Sequence, residues 1–241
     1  MSAHFGIEQC ESFINCHLRA PGAGRVAHGM STVRRAVTIS RQSGCGAHRV
    51  AENLALYLHE HGDGTRWAVF DRNLVEKVLQ DHNLSPRLAA FMPEDRFHGI
   101  DDTLDELFGL HPPSHELVRQ TAETILRLVD LGNVIIIGRG ANVITAKLDY
   151  VLHVRLVGSL QQRCRRYEQA EHLSEVEALR RIDLEDAGRR RYLHQYFHRD
   201  LDDPLLHHLI INTDRIPCEQ AAAIIGNVVL NFSAKPHPAL A

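Results

Sequence analysis

The run Ala36-Val-Thr-Ile-Ser-Arg-Gln-Ser-Gly-Cys-Gly-Ala-His-Arg-Val-Ala51 restricts the folds open to this chain more than any other stretch. Val37 and Ile39 are β-branched around Thr38 and predict a strand, while Val50, Leu54 and Leu58 recur at helical spacing and predict a helix just beyond it. Between the two, Gly44 and Gly46 admit backbone angles closed to other residues. A strand that enters a helix through such a turn leaves the first-turn N–H groups without intrahelical partners, and the helix dipole adds partial positive charge where they point. The product is an anion site, for which phosphate is the natural occupant. An ordinary tight βα turn is the competing reading.

The usual phosphate loop, G-x-x-x-x-G-K-[ST], adds a lysine for the outer phosphates and a hydroxyl for Mg²⁺. With Gly46 as its second glycine, the first glycine becomes Arg41, the lysine becomes Ala47, and the hydroxyl position holds His48. The strand-glycine-helix frame is kept and its cation is missing. Arg41, His48 and Arg49 surround the loop and are the candidates to replace that charge.

The 241 residues, 44% hydrophobic, suffice for one medium-sized α/β domain with a mobile insert. A formal net charge of -3 with no basic arm disfavours duplex nucleic acid as a partner and favours small molecules. The five cysteines form no C-x-x-C pair, which argues against a disulfide framework or structural zinc and suits a reducing, cytoplasmic setting. No apolar run reaches membrane-spanning length. Seventeen histidines raise the question of a metal, and His194 with His198 has i, i+4 spacing, but no cysteine partner or His-Glu motif supports a site, so none is assigned.

Residues 1–35 show no sustained period and are expected to be a poorly ordered extension, with Met30 as an alternative start. Trp67 to Phe70 predicts a second strand. Asp71 and Arg72 follow at its C-terminal end, the edge where open parallel sheets bind ligands, and are candidate substrate contacts; a helix N-cap with a solvated arginine is the alternative. Asn73 to His82 reads as a helix, and 87–113 as an insert or lid segment. Ser114 to Leu131 is helical and ends at Gly132.

Val134-Ile-Ile-Ile137 is a strand buried on both faces, hence central and parallel. Gly138-Arg139-Gly140 at its end delivers a guanidinium able to grip phosphate with two parallel hydrogen bonds, unless Arg139 merely pairs with a structural carboxylate. Tyr150 to Leu156 and His207 to Thr213 predict two more strands, and Pro217 to Leu230 the closing helix. Between those strands lie a helix from Ser159 to Glu171 and a long helix from Glu175 to Tyr196 opened by the capping box Ser174-x-x-Glu177. The long helix is crowded with charge. A solvated face is the default for most of it, while Arg163, Arg181 and Arg189 are suited to swing over a bound nucleotide.

The order of these pieces resembles the cytidylate kinase-like family of P-loop nucleoside monophosphate kinases, on Ile39-Ser40-Arg41 with Gly44 and Gly46, Phe70-Asp71-Arg72, Ile137-Gly138-Arg139-Gly140-Ala141-Asn142, Ile182 with Asp186, Arg189 and Tyr192, and Ile211-Asn212-Thr213. The resemblance implies a three-layer, doubly wound parallel sheet of about five strands over 36–232, with a helical insert at 87–113, a lid at 158–200 and a frayed tail at 233–241. It implies ATP phosphates on the loop formed by Ser40, Arg41, Gly44, Cys45, Gly46, Ala47, His48 and Arg49, and transfer of the γ-phosphoryl group to CMP or dCMP with Mg²⁺. Asp71, Arg72 and Arg139 would meet the acceptor, and Arg139, Arg181, Asp186 and Arg189 would serve the transfer itself. Ala47 keeps two other outcomes open: a nucleotide-binding sensor without turnover, or a kinase for a different acceptor.

Overall fold

Alternation along the first strand divides the molecule into layers. In β1 (Ala36–Arg41), Val37 and Ile39 point to one face of the sheet, and Ala36 and Thr38 to the other. β1 pairs in parallel with β3 (Val134–Ile137), Val37 opposite Ile135, and with β4 (Val151–Val157), Val37 opposite Leu152. The computed structural model describes residues 35–71 and 114–232, the side chains of 114–117 excepted. Arg72, the expected helix at 73–82, the insert, most of the N-terminal extension and the tail lie outside the described residues.

β2 (Ala68–Phe70) adds beyond β3, and β5 (Leu209–Asn212) beyond β4, giving an all-parallel five-stranded sheet of order β2-β3-β1-β4-β5. Parallel strands need crossovers, and the helices that make them cover both faces. On one face α1 (Ala47–His61) and α6 (Cys218–Asn231) bury Val50, Leu54, Leu58, Ala222, Ile225 and Val229 against Val37, Ile39, Ile135 and Leu152. On the other, α2 (Ser114–Leu131) sets Ile125, Leu128 and Val129 on Phe70, Val134 and Ile136. β3 alternates between the two cores, so its run of four β-branched residues is what a strand buried on both faces requires.

The remaining helices stand at the C-terminal edge of the sheet. α3 (Ala141–Ile144) is one short turn after β3. α4 (Leu160–Glu171) and α5 (Glu175–Phe197) form a hairpin whose seam packs Cys164 and Tyr167 on Ala178, Leu179 and Ile182. The capping box forms as its spacing predicts, with Ser174 Oγ accepting from the Glu177 N–H at 3.4 Å. Lower on α5, Tyr192 and Leu193 pack with Leu201 and Val143, tying the hairpin to α3. α3 and a short 3₁₀ turn at Pro204–Leu206 were not legible in the sequence; both are too short to leave a period.

Candidate functional site

Strand order reverses on either side of β1, so the crevice at its C-terminal end is the topological switch point where open α/β sheets bind ligands. The loop after β1 occupies it. Gly44 and Gly46 have φ of 79° and 74°. Gly46 is also the N-cap of α1, and no side chain caps that helix, so its first-turn N–H groups are left for an outside acceptor. Cys45 turns its thiol into the core at 1% exposure, where burial raises its pKa and keeps it a neutral thiol. Only its backbone can serve a ligand.

The α4–α5 hairpin closes against this loop. A Cβ on Gly44 would lie 2.4 Å from the Arg163 carbonyl oxygen, so only glycine permits the approach. Arg163 donates from Nη1 to the Ser43 carbonyl at 3.1 Å and to Asp186 Oδ2 at 2.7 Å, while its Nε donates to the Gly158 carbonyl at 3.0 Å. Asp186 also accepts from the Ser43 N–H at 2.9 Å and from Arg189 Nη2 at 2.6 Å. Ser43 Oγ donates to Glu185 at 2.5 Å and accepts from Arg189. Arg166 reaches the Thr213 carbonyl at 2.7 Å and the Gly44 carbonyl at 3.5 Å.

Ser43, Arg163, Asp186 and Arg189 are all at most 7% exposed. Burial alone would raise the Asp186 carboxyl, but the Ser43 N–H and the two guanidinia more than offset it and hold the group below the usual carboxylate range. Asp186 is thus an anion resting on a phosphate-type donor set: one loop N–H and two arginines. Glu185 also accepts from the Tyr167 hydroxyl, whose pKa is raised by burial and by that carboxylate.

Beside this clamp a cleft runs between the ends of β1 and β3, walled by Ser40, Arg41, Gly138, Gly140, Asn142 and Arg189. Gly138, Arg139 and Gly140 are three successive left-handed residues, with φ of 76°, 59° and 67°. For the arginine this conformation costs about 1–2 kcal/mol, an expense characteristic of functional loops. Ser40 is held by Arg155, which reaches it from β4 at 3.0 Å and is itself anchored to Asp202 at 2.5 Å.

The other expected residues are distributed more widely. Asp71 lies 3.9 Å from His48, at the edge where α1 begins. His48, 64% exposed, also pairs with Glu52. Arg49 pairs across to Glu219, at the start of α6, at 2.9 Å. Arg181 lies on an exposed part of α5. Sequence reasoning passed over Ser43, Glu185 and Arg166, and named Asn142 only as part of the Gly-Arg-Gly-Ala-Asn run. Ser43 stood inside the glycine loop and could have been singled out there; Glu185 and Arg166 required the tertiary fold.

A parallel 2-3-1-4-5 sheet with a glycine loop after its first strand and an arginine-bearing hairpin over that loop defines a kinase-like P-loop fold. The chain belongs to the cytidylate kinase-like family, whose model matches residues 36–215. An uncharacterised protein from Eubacterium ventriosum has a similar structure, with 17% identity, a TM-score of 0.60, and coverage of 81% of this chain and 98% of that one. Shikimate kinase from Bacteroides thetaiotaomicron is 13% identical over 81% of this chain and 98% of its own, with a TM-score of 0.46. Dephospho-CoA kinase from Campylobacter jejuni is 10% identical over 82% and 98%, with a TM-score of 0.37. No curated protein matches the chain by sequence. No helix among the described residues is long and apolar enough to cross a membrane.

Proposed function

We propose that this chain transfers the γ-phosphoryl group of ATP to a nucleoside monophosphate, CMP or dCMP first, with its own arginines in place of the phosphate-loop lysine. The observation that supports this most is the anion on the loop: the Ser43 N–H, Arg163 and Arg189 converge on a carboxylate. Two carboxylate oxygens on such a cradle resemble two oxygens of a phosphate, and guanidinia hold either in parallel pairs. The uncapped start of α1 and the loop at 40–49 receive the ATP phosphates, and 158–200 is the lid that carries Arg163 and Arg189 over them. The acceptor lies in the cleft between β1 and β3, with its phosphate toward Arg139 and with Asp71 on the β2 side.

Phosphoryl transfer asks mainly for alignment and for neutralisation of charge on the transferring group. Arg189, buried and touching the loop's own serine, supplies that charge where Ala47 does not. A Mg²⁺ ion bound with the nucleotide would supply further neutralisation of the phosphate charge. Among the described residues no group of three His, Cys, Asp or Glu side chains is placed to hold a metal ion. Glu185, beside Ser43 and not clamped between two arginines as Asp186 is, fits as its protein contact.

The test is ATP-dependent transfer with Mg²⁺ to CMP, dCMP, UMP, AMP, GMP and shikimate, with Arg139→Ala beside the wild type. Transfer to CMP or dCMP that falls at least 100-fold in the variant supports the reading. Transfer to another acceptor moves the substrate but keeps the chemistry. ATP binding by calorimetry without transfer to any acceptor favours the second reading, a nucleotide sensor, which Ala47 motivates.

A further inference from the structure

Asn142 stands at the start of α3, 6% exposed, on the wall of the cleft shared by Ser40, Arg41, Gly138, Gly140 and Arg189. Its side-chain Nδ2 is sealed from solvent and has no hydrogen-bond partner. A buried amide donor without an acceptor is costly, and natural proteins retain few of them. The adjoining Gly140 backbone leaves no room for a side chain of its own, since a Cβ there would lie 2.9 Å from the Phe197 ring.

We infer that Asn142 is an acceptor-recognition residue: its amide N–H donates to an oxygen of the phosphate monoester seated in the cleft. This rests on the acceptor site proposed above. The cleft chemistry selects the ligand atom. Beside Tyr192, Leu193 and Leu201, the lining carries Arg41, Arg189 and a glycine backbone turn, a cationic set that calls for an anionic oxygen rather than a neutral carbonyl, and a neutral donor among them adds no charge. Asn142 sets affinity and orientation of the acceptor and takes no part in proton or phosphoryl transfer.

The experiment is a titration of ¹⁵N-labelled full chain with CMP, cytidine and inorganic phosphate, following the Asn142 side-chain NH₂ resonances, assigned by their loss in Asn142→Asp. CMP and phosphate are expected to shift both resonances, and cytidine to leave them in place. A shift with cytidine of the same size as with CMP, or no shift with CMP and phosphate, overturns the assignment. Asn142→Asp keeps the shape and replaces the donor with a negative charge; it is expected to weaken CMP binding at least 30-fold, with the KM for ATP within twofold. Asn142→Ala, which removes the donor without adding charge, is expected to lose about tenfold, and serves if the aspartate variant fails to fold. Unchanged CMP binding in either folded variant also overturns it. Shifts with CMP and phosphate in a protein that performs no transfer uphold the site and remove the kinase reading. Transfer without any shift removes the role of Asn142 alone.

Discussion

Two buried polar clusters hang on the same pair of strands and differ in kind. At the C-terminal edge of β1, Ser43, Arg163, Asp186 and Arg189 form a charged clamp assembled from a loop and the helices α4 and α5. Within the sheet, Thr38 on β1 bonds His153 Nδ1 on β4 at 2.8 Å, and His208 accepts from the His153 N–H at 2.9 Å with the two rings stacked. Burial, with the neighbouring histidines, lowers the His153 pKa to about 3, so this cluster is neutral throughout the physiological range. The neutral cluster is architecture: it fills the sheet interior with polar atoms that satisfy one another. In the clamp, by contrast, charges are kept buried at a desolvation cost that stability alone does not justify. Such a cost is expected where charge must be met by charge from outside.

The sharpest way to break this contrast is Asp186→Ala, which strands two buried guanidinia. It is expected to destabilise the fold by about 3–5 kcal/mol, a fall of roughly 10 °C in Tm, and Asp186→Asn by less. A melting curve within 2 °C of the wild type would place the clamp among ordinary surface ion pairs. Gly44→Ala attacks its geometry instead of its charge. With φ at 79° and the Arg163 carbonyl 2.4 Å from the new Cβ, a loss of about 3 kcal/mol is expected, with the lid displaced in a crystal structure.

The neutral cluster responds to protons. The folded pKa of His153, about 3, lies below its ordinary 6.5, so the unfolded chain binds more protons in between. Stability is therefore complete above pH 6.5 and declines as pH falls toward 3, by about 2 kcal/mol from this one group between pH 7 and 5. His207, lowered to about 4 by burial and by Arg155, adds in the same direction. Denaturant titrations across pH are expected to be flatter in His153→Asn, which retains an acceptor near Thr38. An unchanged slope would mean that His153 titrates alike in both states. The smallest effect is expected from Arg49→Ala. Its pair with Glu219 is exposed at both ends, so stability should move by less than about 0.5 kcal/mol and ATP affinity not at all. A large loss of ATP affinity would return Arg49 to the phosphate loop.

Most of the fold was legible because its signals are local. Val37 and Ile39, the four-residue β3, the glycines of the first loop and the Ser174 capping box each carry their structure in a few neighbouring residues. The charges of α5 were another matter. Nothing in the spacing of Glu185, Asp186 and Arg189 says that all three reach Ser43, 142, 143 and 146 residues away, while Arg181 lies on an exposed part of the same helix. Helical periodicity marks a face as polar and is silent on whether water or another charge covers it. Arg49 shows the converse. Proximity in sequence to the glycine loop suggested a phosphate contact, and the pair that the side chain makes, with Glu219 at the start of α6, could not be read from that proximity.

The bond from the Ser43 N–H to Asp186 also bears on how fast a ligand can arrive. A phosphate that takes this N–H must wait for the carboxylate to leave it. Association is then an exchange, and its observed rate should climb with ligand concentration only until it meets the rate of that departure, then level off. A plateau in stopped-flow traces would time the release of the α4–α5 hairpin from the loop directly.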